Sequence, residues 1–269
     1  MSDIVYKKRE LMVIEASKYI NDGEIVFAGV GLPVVASTLA QKRHAPNITI
    51  VVESGVVDPQ LKLAPLSIAD VRVTRKASML GSLRGVLGCI LQRGMVDVGF
   101  LGGAQIDQYA NLNSTVIGDY YKPKVRFPGS GGANPIASHA KRLLIITPHE
   151  PRRFVKKCDY VTSPGYIDGL YGRKNVGLRN WNPSITIVTD LCVMDIDSSL
   201  YRYQGSPGSG QLRLAKLMPG ATIEQVVENT GFELVIPSQV DVVDLPTESE
   251  LSLLKEIDPE GIYFQEERA

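Results

Sequence analysis

Runs of apolar residues separated by short polar breaks divide the chain into alternating helices and strands. Residues 7–21 carry Leu11, Ile14 and the stem of Lys18 at helical spacing, widened by Val13, Ala16, Tyr19 and Ile20, and Asp22-Gly23 ends the run. Residues 24–30 predict a strand. Gly29-Val30-Gly31-Leu32-Pro33 then turns into a helix over 33–43, with proline early, where its missing N–H costs nothing. Residues 48–52 are all β-branched, the pattern of a strand buried on both faces inside a parallel sheet. Strand, helix, strand in that order predicts a right-handed parallel crossover.

Beyond this unit, residues 58–67 read as loop and 71–74 as a short strand. Residues 78–92 contain Gly81, Gly85 and Gly88, so a helix there is either closely packed or irregular. Residues 96–101 form a buried strand ending in Gly102-Gly103-Ala104-Gln105. Residues 105–114 are rich in Asp and Asn and predict a turn with an edge strand, and 122–126 follow as an extended segment. A helix begins over 136–139. Strands are predicted over 141–147, 159–163 and 184–189, the last two separated by a glycine-rich loop, and a hairpin from 192–195 with 200–203. A short helix over 223–229, started by Thr222, is followed by strands over 232–236 and 240–243 and a last helix over 248–257. The fold class is α/β: an open, mostly parallel sheet flanked by helices, in a single domain spanning residues 1–269.

Composition narrows the function. The 269 residues suffice for a sizeable α/β core, and Lys plus Arg equals Asp plus Glu at 29 each. That neutrality argues against a general nucleic-acid or membrane-surface binder. Cys89, Cys158 and Cys192 are scattered without metal-ligand spacing, which fits a reducing cytoplasm. The first residues carry no signal-peptide pattern, and no apolar run is long enough to span a bilayer.

Three stretches carry candidate chemistry. Glu53 stands where the β-branched strand ends, followed by Ser54 and Gly55, and ligands of open α/β sheets bind outside the carboxyl ends of the strands. Read alone, it is either a catalytic carboxylate or a polar residue closing a strand. Gly102-Gly103 again places glycines at a strand end. Phe127-Pro128-Gly129-Ser130-Gly131-Gly132-Ala133-Asn134-Pro135 holds three glycines in four residues, implying positive φ or close backbone approach. This loop is either a cradle of N–H groups for a negative oxygen or a flexible surface loop. Gly29 and Gly31 suggest a dinucleotide turn only weakly, because Val34 stands where a third glycine belongs. His44, His139 and His149 read as structural or surface histidines. An exposed carboxylate facing backbone donors points to covalent chemistry on an acyl group. There is no Ser–His–Asp order, metal-ligand cluster or Walker loop.

Several motifs now combine: Val51-Val52-Glu53-Ser54-Gly55, Gly102-Gly103-Ala104-Gln105-Ile106-Asp107, Gly118-Asp119-Tyr120 and Gly129-Ser130-Gly131-Gly132-Ala133-Asn134. Together with His149-Glu150, Arg152-Arg153-Phe154, Tyr160-Val161-Thr162-Ser163-Pro164-Gly165, Glu228-Asn229-Thr230-Gly231-Phe232 and Ile257-Asp258-Pro259, they cover almost the whole chain. In this order they resemble the β subunit of family I CoA-transferases, nearest to its glutaconate branch. The resemblance implies that Glu53 attacks an acyl-CoA and carries CoA as a glutamyl thioester. It implies oxyanion or CoA contacts from Gly131, Gly132, Ala133, Gly102 and Gly103, and substrate contacts from Ser54, Gln105 and Asn111. It further implies no permanently bound cofactor, coenzyme A thioester as substrate, a CoA-transferase α subunit as partner, and neither nucleic acid nor membrane. An acyl-CoA hydrolase or lyase on the same scaffold is the alternative. Two departures stand out: Ala110 replaces a glycine usual in the family's Asp-x-x-Gly-Asn turn, and residues 75–92 differ from the glutaconate branch, so the acid handled can differ. Arg126 and Arg152 read as surface ion pairs or as contacts to a carboxylate or phosphate.

Overall fold

A computed structural model of the chain describes residues 5–196 and 210–265. In chain order the elements are α1 (Lys8–Ser17), β1 (Ile25–Phe27), α2 (Leu32–Arg43), β2 (Thr49–Val52), β3 (Val56–Val57), β4 (Met79–Leu80), α3 (Leu83–Gly85) and β5 (Val98–Leu101). They continue with β6 (Gln105–Ile106), β7 (Leu112–Asn113), β8 (Val116–Gly118), β9 (Pro123–Arg126), α4 (Ala133–His139), β10 (Arg142–Ile146) and α5 (Gly172–Asn175). Last come β11 (Ser184–Val188), β12 (Cys192–Ile196), β13 (Arg213–Leu217), α6 (Ile223–Glu228), β14 (Asp241–Val242) and α7 (Glu248–Ile257). The chain divides into two compact units: residues up to Phe100 together with those from Asp244 onward, and Leu101–Val243.

In the first unit the strands lie in the order β5-β1-β2-β3-β4. β1 pairs in parallel with β2, Val26 opposite Ile50, and with β5, Val26 opposite Val98. β3 and β4 add antiparallel edges. Val26, Ile50 and Val51 have no exposed surface, as the β-branched run demands of a central strand. Helices α1, α2 and α7 pack on one another. Thr247 caps α7 by accepting the Glu250 N–H, while Glu250 reaches back to the Thr247 N–H and also meets Arg43 of α2 at 2.8 Å. The expected strand over 71–74 is instead a 3-10 turn. Asp70 accepts the Arg72 N–H at 2.9 Å, and Val73 is the one buried residue, so no face supports a strand. The expected helix over 78–92 is irregular: β4, then one turn of α3 capped by Ser82, then a π-helical stretch, Val86–Leu91.

In the second unit the order is β14-β13-β12-β11-β10. β10 and β11 are parallel, β12 runs antiparallel to both β11 and β13, and β14 pairs in parallel with β13. Two ribbons stand apart, β6–β7 and β8–β9. Both units are thus open α/β sheets with a parallel segment extended by antiparallel strands. The expected strand over 159–163 is reduced to one bridge, Ser163 to Leu112, because Asp159 and Thr162 use their side chains to anchor other segments. That over 232–236 is reduced to a bridge from Val235 to Arg213. Residues 200–203 lie outside the described residues; β12 pairs antiparallel with β11 on one side and β13 on the other. Among the described residues no helix is long and apolar enough to cross a membrane.

Candidate active site

The first candidate group sits at the carboxyl end of β2. Val52 pairs with Val56, so Glu53, Ser54 and Gly55 form a three-residue turn closed by the Gly55 N–H donating to the Val52 carbonyl at 3.0 Å. Gly55 has φ 108°, a conformation that favours glycine. A methyl group there would lie 2.7 Å from backbone atoms of Gly81 and Ser82. Gly81 in turn donates to the Gly55 carbonyl at 2.9 Å, carrying the β3–β4 ladder on to the turn. Glu53 is half-buried on this braced turn. Beside it, the Ser54 hydroxyl is enclosed with no hydrogen-bond partner among the described residues.

The remaining candidates belong to the second unit. Gly103 needs to be small: a methyl would meet the Gln105 and Asn113 carbonyls at 3.3 and 3.4 Å, while Gly102 faces open space. The following hairpin is held by side chains. The Asp107 carboxylate accepts the N–H groups of Tyr109 and Asn111 and the Asn111 amide, all within 3.1 Å. Burial nonetheless pushes its carboxyl above the ordinary value. Ala110 adopts φ 58°, so the departure from glycine carries a left-handed residue at the expected place.

Asn111, expected as a substrate contact, makes its hydrogen bonds inside the protein. It is 1% exposed; its Nδ2 donates to Asp107 and to the Ile167 carbonyl, and its Oδ1 accepts from Gly165 and Ile167. With its hydrogen-bonding positions used inside the protein, it is a structural rivet. Gln105 is similarly occupied: its Oε1 accepts from Asn113 Nδ2 at 2.7 Å and from the Asp159 N–H at 3.0 Å, and its Nε2 donates to Asp159. It also lines a cavity of about 440 Å³ with Ala104, Ile117, Val125, Phe127, Arg152 and Arg153. Both arginines bond Glu150, which holds that carboxyl below its ordinary value.

The glycine loop is tied to the hairpin end. Gly129 donates to the Ser114 carbonyl, Ser114 Oγ to the Gly129 carbonyl, and Asn134 Nδ2 to the Thr162 carbonyl. Thr162 Oγ1 accepts the Ser114 N–H, completing the link. Gly129 and Gly131 have φ 96° and 47°, whereas Gly132 is right-handed at φ −76°. Left-handed followed by right-handed backbone turns successive N–H groups toward one point, the geometry of an anion nest. The Gly131 and Gly132 N–H groups donate to no acceptor among the described residues, and Gly132 is buried. The Ala133 N–H, by contrast, is spent on the Ser130 carbonyl at 2.8 Å.

The histidine reading agrees with the structure at position 149. His149 is buried, stacked on Phe154 and bonded to Thr189 and Thr230. Burial lowers its pKa to about 4. Burial also raises the Cys158 thiol, and pushes the Cys192 thiol up to about 12. Among the described residues no cluster of His, Cys, Asp or Glu is set to hold a metal. Sequence reasoning missed Gly81, Asp159 and Thr162. Gly81 left a trace in the glycines of its segment and Thr162 stood within the Tyr160-Val161-Thr162-Ser163-Pro164-Gly165 motif; Asp159 acts on residues far away in the chain and left none.

Residues 10–229 match the family model for coenzyme A transferase. The chain is 40% identical over 253 residues to the B-type subunit of 3-oxoadipate CoA-transferase from Pseudomonas knackmussii, covering 94% of each chain. It is 37% identical over 265 residues to the B-type subunit of glutaconate CoA-transferase from Acidaminococcus fermentans, covering 97% of this chain and 96% of that one. The crystal structure of glutaconate coenzyme A-transferase from Acidaminococcus fermentans aligns with TM-score 0.87 at 36% identity, over 97% of this chain and 98% of that chain.

Proposed function

The chain belongs to the coenzyme A transferase family, as a B-type subunit, and we propose that it moves CoA between an acyl-CoA and a carboxylic acid through a covalent intermediate on Glu53. The Glu53 carboxylate attacks the thioester carbon; the carbon–sulfur bond breaks, leaving a mixed anhydride and CoA thiolate. The thiolate then attacks the glutamyl carbonyl, releases the donor's acid and leaves a glutamyl-CoA thioester. An acceptor carboxylate runs both steps in reverse.

The observation that carries this reading is the position of Glu53: a half-buried carboxylate at the carboxyl end of a central parallel strand, on a turn whose backbone Gly81 braces. A carboxylate is a weak nucleophile, so fixed orientation must supply much of the rate. We assign Gly131 and Gly132 the role of oxyanion donors, on their two unspent N–H groups. The relatives are named as B-type subunits of CoA-transferases for 3-oxoadipate and glutaconate. On that basis this chain works with an A-type partner on one of these or a related acid. The hydrolase or lyase alternative has no comparable support, since both of those relatives are transferases.

The test uses the chain co-purified with its A-type partner. Acyl-CoA without acceptor leaves CoA on Glu53; borohydride or hydroxylamine traps the thioester, and peptide mass spectrometry places it within residues 48–58. Glu53→Gln keeps the fold and forms no adduct. Near-normal CoA exchange by Glu53→Gln, with its mass showing no reversion to Glu, rules the covalent route out.

A further inference from the structure

Among the described residues the largest fully buried side chain is a charged one, Arg173 on α5. Its guanidinium donates only to backbone carbonyls: Nε to Asn180 at 2.7 Å, Nη1 to Pro164 and Gly165 at 2.9 and 3.0 Å, and Nη2 to Ala137 at 2.8 Å. No carboxylate pairs with it among the described residues. Burial lowers its pKa to about 10, so the group stays charged at neutral pH. Burying a cation costs free energy unless its donors are satisfied, and here carbonyls alone satisfy them.

Those carbonyls belong to segments that meet at the glycine loop. Ala137 lies in α4, and Gly132 is the N-cap of that helix. Pro164 and Gly165 lie just beyond Thr162, whose carbonyl accepts Asn134 Nδ2 at 3.0 Å. Helix α4 is therefore clamped twice to the segment 162–165, near its start by Asn134 and near its end by Arg173. That segment is itself anchored, since Thr162 and Ser163 donate to the Leu112 carbonyl and Gly165 donates to Asn111 Oδ1. One tether fixes where a helix sits, and a second fixes its direction. With seven residues α4 has little stability of its own, so its tethers decide how it lies. We infer that Arg173 is a positioning residue for the reaction: through Ala137 it holds α4 at the angle that aims the Gly131 and Gly132 N–H groups at the developing oxyanion. This rests on those two N–H groups being the oxyanion donors. Without Arg173 the helix pivots about its Asn134 tether. The oxyanion exists only beyond the ground state, so misaimed donors slow the chemistry and leave substrate binding intact.

The experiment uses the assembled two-subunit enzyme and reads two quantities. The first is the rate of adduct formation on Glu53 across a range of acyl-CoA concentrations. The second is amide hydrogen exchange over residues 129–140, with 184–196 of the same unit as the control. Arg173→Lys keeps a cation in the buried site but lacks the planar fork. Its saturating rate falls roughly tenfold or more, the effect of one lost hydrogen bond to a charged group, while the half-saturating concentration stays put. Exchange quickens over 129–140 and not over 184–196. Arg173→Met falls further; if it does not fold, Arg173→Lys decides alone. Wild-type exchange over 129–140 in Arg173→Lys overturns the inference, whatever the rate. So does exchange that quickens equally over 184–196, or a raised half-saturating concentration at an unchanged rate, since either marks a residue that only stabilises the fold or the ground state. Quicker exchange confined to 129–140 with both kinetic values unchanged supports the hold of Arg173 on the loop and overturns Gly131 and Gly132 as the oxyanion donors. No adduct in the wild type overturns the covalent reading, and the exchange pattern then decides the hold of Arg173.

Discussion

Gly81 donates its backbone N–H to the Gly55 carbonyl across 2.9 Å, and a methyl group added to Gly55 would stand 2.7 Å from backbone atoms of Gly81 and Ser82. The two glycines are not equivalent. Gly55→Ala meets backbone that cannot swing aside, at φ 108°, and strain of that kind costs about 1–3 kcal/mol before any clash is counted. Gly81→Ala would meet the Gly55 oxygen and the Met79 side chain at 3.4 Å, ordinary contact. Thermal melting should show Gly55→Ala strongly destabilised and Gly81→Ala within about 0.5 kcal/mol of the wild type, the usual range of a surface substitution. Equal losses would mean that the bracing runs through something other than this contact.

Glu53→Asp keeps a carboxylate but withdraws it by one methylene from a turn that Gly81 braces. A displacement of about 1 Å can cost on the order of a hundredfold in rate. Steady-state transfer should fall by about that factor with the melting temperature unchanged. Activity equal to the wild type would show that the carboxylate is not placed by the turn.

Asn111→Ala removes the acceptor used by the Gly165 and Ile167 N–H groups and the donor used by Asp107 and the Ile167 carbonyl. Leaving these buried groups unpaired costs on the order of 3 kcal/mol or more. Denaturant unfolding should show the loss, while KM for the folded fraction stays near the wild-type value. A raised KM without lost stability would restore Asn111 as a substrate contact.

His149 makes stability depend on pH. Thr230 Oγ1 donates to the Val226 carbonyl, so it accepts from the His149 Nε2–H; Thr189 Oγ1 likewise donates to the Cys192 carbonyl, so the donor left for Nδ1 of the neutral ring is the Cys192 thiol at 3.5 Å. The unfolded chain protonates this ring near pH 6.5; the folded one resists until about 4. The contribution is fully present above 6.5 and is lost as pH falls from 6.5 toward 4, on the order of 3 kcal/mol in all. Denaturant unfolding across that window should show the decline, and His149→Gln should flatten it. A wild-type stability that rises as pH falls from 6.5 would contradict a buried neutral ring.

Local pattern alone determined the elements whose causes are local. The β-branched run became β2, the early proline and periodicity became α2, and Thr222 and Thr247 started α6 and α7 with capping boxes. The glycine-rich loop takes the positive φ values its composition implied at Gly129 and Gly131. Glu53 could likewise be placed at a strand end, because strand ends are written in neighbouring residues. Tertiary structure decided which polar groups remain available. Asn111 and Ala133 look like their neighbours in sequence, yet one is saturated by Asp107 together with residues more than fifty positions away and the other spends its N–H inside the loop. The segments 159–163 and 232–236 are held by single bridges, to Leu112 and Arg213, in place of the ladders their composition suggested. A hydrogen bond saturates, so what a donor can do for a ligand depends on every other acceptor within reach, and that inventory exists only once the chain has folded.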